Sequence, residues 1–274
     1  MNHAPFIRWC VRSVLLQDYP NLEYLVLDGG STDGTQEIVA PYRNQLAYWQ
    51  SAPDAGQADA VALGFERSTG EVMAYLNSDD MLAPGALQFV ARYFHEYPQV
   101  DAIYSHRCTV DETNRVRSYW LLPEHRNYLM RRWDMIPQET CFWRRRLFEQ
   151  CGNIDRSLQF ALDYDLFLRF MSAGTFVRVN RFLGAFRKHP QAKTLRLLST
   201  SGRGEIRRVR AARDVRISVP EKVVGALFFR WVVARGWWHA KTHRSLPGAL
   251  PGVGYDYDAV WGALLNSAQT GERS

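Results

Sequence analysis

The chain has 274 residues, 46% of them hydrophobic and 23% charged, which suffices for one sizeable core and excludes a disordered or collagen-like chain. Its net charge of +6 is unevenly spread, since residues 1–110 carry −7 whereas residues 111–194 and 195–274 carry +6 and +7. The acidic first part predicts a metal or polar site, and the basic remainder predicts an anionic partner such as a phosphate, a lipid surface or nucleic acid.

The first 105 residues alternate between helical and strand-like patterns. The predicted helices cover Ala4–Leu16, Gln36–Ala40, a segment from Ala58 that Gly70 ends, and a segment that Pro84 opens. The predicted strands cover Leu22–Leu27, Leu46–Trp49, Val72–Leu76 and Val100–Tyr104. This alternation predicts an α/β fold with a mostly parallel central sheet flanked by helices, in which ligands bind beyond the carboxyl ends of the strands.

The remaining residues are less regular. Residues 106–160 are rich in arginine and aromatic residues and predict hairpins and loops beside the sheet, and Asp163–Met171 predicts a helix. Phe176–Val179 and Leu183–Phe186 predict two short strands, and the chain after Thr194 predicts arginine-rich helix.

Neither a signal peptide nor a membrane span is expected. The most apolar stretch, Val223–Trp238, is interrupted by Arg230 and Arg235 and would extend only about 24 Å as a helix, short of a hydrocarbon core of roughly 30 Å. The four cysteines include no CxxC pair, which argues against a zinc ribbon or a disulfide scaffold. These features predict a cytoplasmic protein.

Two acidic motifs follow predicted strands. Asn77-Ser78-Asp79-Asp80 places adjacent carboxylates at a strand end, where a divalent cation would offset their repulsion; a helix cap before Pro84 is the alternative. Asp28-Gly29-Gly30-Ser31 lets the backbone approach a ligand closely, and Asp28 would then accept hydrogen bonds from a base or ribose. Asp33 in the same turn has the simpler role of starting a helix.

Asp163 and His189 are two further candidates. Asp163 stands at a predicted helix start, where partial burial would raise the pKa of its carboxylate and the helix dipole would lower it, as the tuning of a general base requires. The alternative is that Asp163 only caps the helix. His189 follows the basic residues Arg187 and Lys188. It would be either a solvated loop histidine or a ligand of a metal ion or a phosphate.

Taken in chain order, these motifs resemble the family 2 glycosyltransferases with the GT-A fold. The resemblance covers roughly residues 2–194 and is carried by LVLDGGSTDGT, YLNSDD, LDYDLFLR and FRKH, and also by SVLLQDYPNLEYLVLDGGSTDGT, APDAGQADAVALGFERSTGEVMAYLNSDD and PQETCFWRRRLFEQCG. It implies a glycosyltransferase domain over residues 1–194 and a basic, aromatic-rich helical extension over residues 195–274.

The resemblance also implies roles for individual residues. Asp79 and His189 would hold Mn²⁺ or Mg²⁺ against the diphosphate of a nucleotide sugar, and Asp163 would be the base of an inverting transfer to a hydroxyl of a glycan or lipid-linked glycan. Donor contacts are expected at Asp28, Gly30, Ser31, Asp54, Asn77 and Asp80. Asn77 stands where the family often has Asp, and Leu162 where Glu is frequent. No Gln-x-x-Arg-Trp motif follows the base, which favours single addition over processive synthesis. The alternative is a non-catalytic glycosyltransferase-like binding protein.

One departure from the family concerns the start of the chain. Members begin with an apolar strand and a Pro-x-Tyr-Asn-like turn, whereas Met1-Asn2-His3 stands in the place of that turn. The first strand of the nucleotide-binding sheet is therefore expected to be missing, through a late start codon or a truncated copy, and its neighbours are expected to have unpaired backbone groups.

The C-terminal part combines a run of arginines with an aromatic-rich helix. The run comprises Arg196, Arg203, Arg207, Arg208, Arg210, Arg213 and Arg216, and Val223–Trp238 follows it. This pattern suits an anionic membrane surface, which would make the protein peripheral at the inner face of the cell membrane. A basic helix pair packed on the catalytic domain is the alternative, and nucleic-acid binding is disfavoured because no nucleic-acid motif accompanies the charge.

Overall fold

The computed structural model describes residues 2–197 and 201–242. The helices are α1 (Ala4–Leu15), α2 (Thr35–Val39), α3 (Gln57–Arg67), α4 (Ala86–Glu96), α5 (Asn127–Trp133), α6 (Arg145–Cys151), α7 (Leu162–Ala173), α8 (Lys193–Leu197), α9 (Arg203–Ala212) and α10 (Val219–Thr242). The strands are β1 (Leu25–Asp28), β2 (Tyr48–Ser51), β3 (Val72–Met73), β4 (Met81–Leu82), β5 (Ala102–Val110), β6 (Val116–Trp120), β7 (Phe142–Arg144) and β8 (Phe176–Arg187). Short 3-10 helices cover Ala40–Gln45 and Gln138–Thr140.

The strands form two sheets that confirm the α/β class but are mixed rather than mostly parallel. β1 and β2 form a parallel pair, and the larger sheet has the order β3-β7-β5-β8-β4 with β6 on β5. In that sheet only β5 and β8 run parallel. The prediction of a mostly parallel sheet was wrong because it used the alternation of helix and strand in the first 105 residues, whereas most of the larger sheet comes from later strands. One of these, β6, follows β5 through a tight turn and therefore runs antiparallel to it.

Residues 106–160 are more regular than predicted, although the expected hairpin is present as β5 and β6. The arginine-rich, aromatic composition builds strands here because the cations stack on rings, as Arg107 does over Trp120 at 4.4 Å. β8 is likewise one strand of 12 residues rather than two short ones, and its register on β5 shifts near His106.

The expected strand Val72–Leu76 pairs only at Val72 and Met73. Beyond them the backbone runs unpaired toward the acidic turn, and the Tyr75 carbonyl accepts a hydrogen bond from the side chain of Gln138 instead. Among the described residues, β1 pairs with β2 alone, and no backbone hydrogen bond joins β1 to Val72–Leu76. An open cavity is lined by both segments.

The main core lies between the larger sheet and α7. Trp143 on β7 is fully buried, and its ring lies 5.4 Å from that of Phe170, 6.3 Å from that of Phe167 and 5.6 Å from that of Phe65. Truncating such a residue to alanine costs about 3–5 kcal/mol. This cluster fixes α7, and with it Asp163, against the sheet.

The C-terminal helices pack on the catalytic part through one face. A Cβ on Gly236 of α10 would collide with the Tyr119 carbonyl oxygen, so only glycine allows this approach to β6. On α9, the Glu205 carboxylate accepts hydrogen bonds of 2.5–2.9 Å from the amides of residues 159–161, just before α7. In the part of the chain that the structure describes, no helix is both long and apolar enough for a membrane span.

Candidate active site

An open cavity of about 1640 Å³ brings most of the predicted site residues together. Its lining includes Asp28, Ser31, Asp54, Asn77, Asp79, Asp80 and Asp163. Gly30 and His189 lie behind this lining, next to Pro53 and Asp79 respectively. The motif residues from Asp28 to Asp163 that line this cavity therefore share one concave surface.

Asp28 is the last residue of β1 and is held by three hydroxyl or amide donors. Its carboxylate accepts hydrogen bonds from the Ser31 amide at 2.9 Å, the Ser31 hydroxyl at 2.5 Å and the Ser51 hydroxyl at 2.6 Å. Burial by itself would raise the pKa of Asp28, but these hydrogen bonds lower it below its usual value. Asp28 is therefore a preorganised anion at the strand end.

The glycine turn after β1 packs closely on the segment that follows β2. Gly30 has a φ of +79°, and a Cβ there would lie 3.2 Å from the Pro53 nitrogen. A Cβ on Gly29 would lie 2.8 Å from the Asp54 carboxylate, whose other contact is the Gly56 amide at 2.9 Å. The two glycines thus let Pro53 and the Asp54 carboxylate approach the turn that follows Asp28.

Pairing of β4 with β8 explains why Asp79 meets His189. Met81 lies opposite Ala185 in this antiparallel register, so the turn before β4 lies beside the residues that end β8. His189 Nε2 lies 3.0 Å from Asp79 Oδ2, and His189 is 3% exposed beneath the ring of Phe6. Burial would raise the pKa of Asp79, but the hydrogen bond from His189 helps to lower it.

Asp80 has a different environment from its neighbour. It is 1% exposed and accepts a hydrogen bond of 2.8 Å from the Arg187 amide, while the Arg187 Nε donates to the Asp79 carbonyl oxygen at 2.8 Å. Burial first, and then the charges of Asp79 and Glu139, raise the pKa of Asp80 well above its usual value. Asp80 and Arg187 together hold the acidic turn against β8.

A chain of amide side chains links the acidic turn to a lysine that the sequence did not single out. The Lys193 ammonium donates to Gln57 at 2.6 Å, Gln57 donates to Asn77 Oδ1 at 2.5 Å, and Asn77 donates to Gln138 at 3.0 Å. Lys193 lines the cavity, where burial lowers its pKa and the charge of Asp163 opposes that shift. Sequence motifs could not identify Lys193, because the residues around it come from three other parts of the chain.

Asp163 stands in the first turn of α7 and faces the cavity. Burial raises the pKa of Asp163, although the Tyr164 amide and the nearby cations Arg107 and Lys193 oppose the rise. Arg107 is itself fixed by two hydrogen bonds of 2.8 Å to Glu139. A carboxylate with a raised pKa that opens onto a cavity has the properties of a general base.

A second acidic residue, Asp134, was missed by the sequence analysis. It ends α5 with a left-handed φ of 48° and lines the same cavity. The surrounding protein atoms, together with the charge of Asp163, raise the pKa of Asp134 to about 7. Asp165, by contrast, is buried in ion pairs with Arg169 at 3.0 Å and Arg213 at 2.9 Å, so its carboxylate has a structural role.

Asp79 and His189 are the residues of the acidic turn and its neighbour that could hold a metal ion. Among residues 2–197 and 201–242, no group of three or more His, Cys, Asp or Glu side chains converges as a metal cluster. Mg²⁺ and similar hard cations are nevertheless often held by one or two carboxylates together with substrate phosphates. His189 Nε2 donates its proton to Asp79 Oδ2 here, so it would have to give up that proton before both atoms could bind an ion shared with a diphosphate.

Solved structures share this fold. The crystal structure of S. aureus TarS 1-349 in complex with UDP-GlcNAc has a TM-score of 0.61 and 18% identity, and the match covers 96% of this chain and 76% of that chain. The mannosyltransferase PcManGT from Pyrobaculum calidifontis, in complex with GDP-Man and Mn²⁺, has a TM-score of 0.59 and 20% identity over 98% of this chain and 76% of that chain. The GT-A fold expected from the sequence is thereby confirmed.

Curated proteins and a family model give the same assignment. An uncharacterized glycosyltransferase of Rickettsia typhi is 27% identical over 180 residues, which are 62% of this chain and 56% of that protein. Chondroitin synthase of Pasteurella multocida is 26% identical over 183 residues, which are 66% of this chain and 19% of that protein. The chain thus spans about half the length of the Rickettsia relative and less of the synthase. The model of glycosyl transferase family 2 matches residues 1–152. The chain therefore belongs to glycosyl transferase family 2.

Proposed function

We propose that this chain is a metal-dependent, inverting glycosyltransferase that moves a sugar from a nucleoside-diphosphate donor to a hydroxyl of a glycan or lipid-linked glycan. The observation that carries the proposal is a single cavity in which preorganised anions, Asp28 and Asp79, lie with a carboxylate of raised pKa, Asp163. The neighbours that bind UDP-GlcNAc and GDP-Man support a nucleotide-sugar donor.

Donor binding would use the side chains near the strand ends. Asp28 accepts hydrogen bonds from the base or ribose, with Gly30, Ser31 and Asp54 shaping the turn around it. Asp79 and His189 would hold Mn²⁺ or Mg²⁺, which when bound offsets the negative charge of the diphosphate. Asn77 is held beside this site by its bonds to Gln57 and Gln138, and Asp80 fixes the turn from below.

The transfer step would use Asp163. Its carboxylate takes the proton of the acceptor hydroxyl as that oxygen forms a bond to the anomeric carbon, and the bond from this carbon to the diphosphate oxygen breaks. The acceptor oxygen enters opposite the leaving group, so the anomeric configuration inverts. Lys193, which lines the same cavity, is placed to stabilise the departing diphosphate.

The acceptor side and the membrane form a second part of the proposal. The chondroitin synthase relative supports a glycan acceptor. Large apolar side chains of α10 are exposed to solvent and stand among arginines, which supports work at an anionic membrane surface. This surface would present a lipid-linked acceptor to the cavity.

Donor binding tests the proposal directly. Calorimetry with UDP- and GDP-sugars, in Mn²⁺ and in excess chelator, should show much tighter binding of one donor with the metal. Equal affinity in both conditions would refute the metal role. A chain that binds a donor tightly but transfers no sugar to any of a panel of glycan acceptors would instead be the non-catalytic binding protein.

A further inference from the structure

A second pocket, of about 490 Å³, lies apart from the donor cavity and shares no lining residue with it. It is formed by β5, β8, the segment between β6 and α5, and one turn of α10. The lining residues are His106, Leu121, Leu122, Pro123, Glu124, Arg126, Leu129, Arg178, Asn180 and Arg235. Neither the metal site nor the base of the proposed transfer uses any of them.

Hydrogen-bond donors dominate the polar lining. Three guanidinium groups, those of Arg126, Arg178 and Arg235, face one carboxylate, that of the exposed Glu124. His106 is 3% exposed, its Nδ1 accepts a hydrogen bond from the Leu122 amide at 3.1 Å, and its Nε2 lies 3.4 Å from a guanidinium nitrogen of Arg178. The pocket therefore has excess positive charge with few acceptors.

Two of these cations are not neutralised within the structure. In the described residues, neither Arg126 nor Arg235 forms an ion pair with a carboxylate. The Arg235 guanidinium lies over the ring of Trp231 at 5.3 Å, which orients it without satisfying its donors. Arg178 is positioned by a bond of 2.9 Å from its Nε to the Pro123 carbonyl oxygen.

This arrangement fits a compact oxyanion with several acceptor oxygens. Arginine forks bind phosphate in a bidentate manner, and a phosphoryl group offers enough oxygens to occupy more than one fork. Arg178 already has hydrogen bonds to the Pro123 carbonyl oxygen and to Asn180, so it is the guanidinium groups of Arg126 and Arg235 that a largely apolar ligand would leave without an anionic partner. The lining thus indicates a phosphoryl group as the ligand class.

The position of Arg235 indicates which molecule carries that phosphoryl group. Arg235 lies on α10 between Trp231 and Trp238, which are 49% and 50% exposed. The same helix exposes further apolar side chains, namely Val219, Val223, Val224, Leu227, Phe229 and Trp237. An exposed apolar helix with interfacial aromatic residues and a phosphoryl site beside them matches the layered chemistry of a phospholipid surface.

We propose that the pocket lined by Arg126, Arg178 and Arg235 binds the phosphoryl group of an anionic phospholipid while the exposed face of α10 lies in the membrane interface. This proposal rests on the membrane part of the proposed function and is independent of sugar transfer. It assigns the protein a specific lipid headgroup site in addition to general electrostatic attraction.

Vesicle co-sedimentation with the full chain tests the proposal. The pocket variant Arg126→Gln/Arg235→Gln is compared with Lys222→Gln/Arg230→Gln, which removes the same charge from exposed positions of α10 outside the pocket. We expect both to weaken binding to vesicles containing phosphatidylglycerol, since each surface cation contributes, but the pocket variant should lose about tenfold more affinity. Inorganic phosphate should release the wild type more than chloride at equal ionic strength, and this difference should vanish in the pocket variant.

Three outcomes would overturn the proposal. If the two double variants lost equal affinity for the vesicles, with unchanged thermal midpoints, the pocket cations would contribute only general electrostatic attraction. The membrane part of the proposed function would then still stand. Absence of wild-type binding to these vesicles at low salt would overturn both. Calorimetric binding of inorganic phosphate without vesicle binding would identify a soluble phosphate as the ligand. Donor binding, measured separately, shows whether the catalytic proposal stands.

Discussion

Four aspartates that line the main cavity fall into two groups, whose pKa values are shifted in opposite directions. In one group, which we call the donor wall, Asp28 and Asp79 have lowered pKa values although both are largely buried. In the other, the acceptor wall, Asp134 and Asp163 have raised pKa values. Hydrogen bonds from Ser31 and Ser51 outweigh burial at Asp28, and a hydrogen bond from His189 with the charge of His3 outweighs it at Asp79, whereas burial prevails at Asp163 and the charge of Asp163 adds to the rise at Asp134.

The supply of hydrogen-bond donors is therefore one difference between the two groups of carboxylates. Asp28 accepts three hydrogen bonds and Asp79 accepts one from His189, which keeps both ionised and oriented. Among the described residues, Asp163 accepts hydrogen bonds from the Tyr164 amide and from its own amide. A fixed anion suits a cation and a ribose, whereas an under-solvated carboxylate retains the proton affinity that a base needs.

The largest expected effect follows from removing the base. Asp163→Asn keeps the shape but loses the proton acceptor, so transfer should fall by about 10²–10⁴, while the donor Kd should barely change. Steady-state kinetics and donor calorimetry measure the two quantities. Asp165→Asn is the comparison, because it breaks ion pairs with Arg169 and Arg213 and should lower the thermal midpoint instead. Full activity in Asp163→Asn would place the base elsewhere.

On the donor wall, Asp79→Asn should weaken metal-dependent donor binding by about 10–100-fold, since a neutral amide holds a divalent cation poorly. Binding in chelator should be unaffected. Glu112→Gln, an exposed change of equal charge, serves as the control. A variant that keeps its Mn²⁺ response would remove Asp79 from the metal site.

Glu205 supports the segment before α7, the helix that carries Asp163. Glu205→Gln leaves at least one of the three amides before α7 without its acceptor and should lower the free energy of unfolding by about 1–3 kcal/mol. Urea denaturation measures this loss. An unchanged midpoint would mean that water satisfies these amides and that the Glu205 carboxylate adds nothing to the placement of α7.

A smaller effect concerns the pH dependence of stability. The pKa of Asp134 is about 7 in the folded protein against 3.8 ordinarily, so between these values the folded state binds more protons than the unfolded state. Its contribution to stability is therefore present at low pH and is lost as the pH rises toward 7. Asp134→Asn should flatten this slope in denaturation curves across that range, whereas Asp214→Asn, at an exposed position, should not. An unchanged slope in Asp134→Asn would contradict the raised pKa.

The sequence predicted the donor wall better than the acceptor wall. Asp28 and Asp79 follow strands and belong to contiguous motifs, so local pattern and family resemblance placed both of them at one cavity. Asp134 and Lys193 belong to no motif, and their position depends on a left-handed helix end and on the packing of α8. The strand directions were mispredicted for a similar reason, since a strand of two residues such as β4 has too short a pattern to show its partner.

The hydrogen bonds of Glu205 have a mechanical consequence. This carboxylate ties α9 to the first residues of α7, two positions before Asp163, and α10 follows α9 after a short connection. The C-terminal part of the chain therefore contacts the segment that leads directly into the helix of Asp163, the proposed base. A substitution in α9 can thus alter the position of Asp163 without being in the cavity.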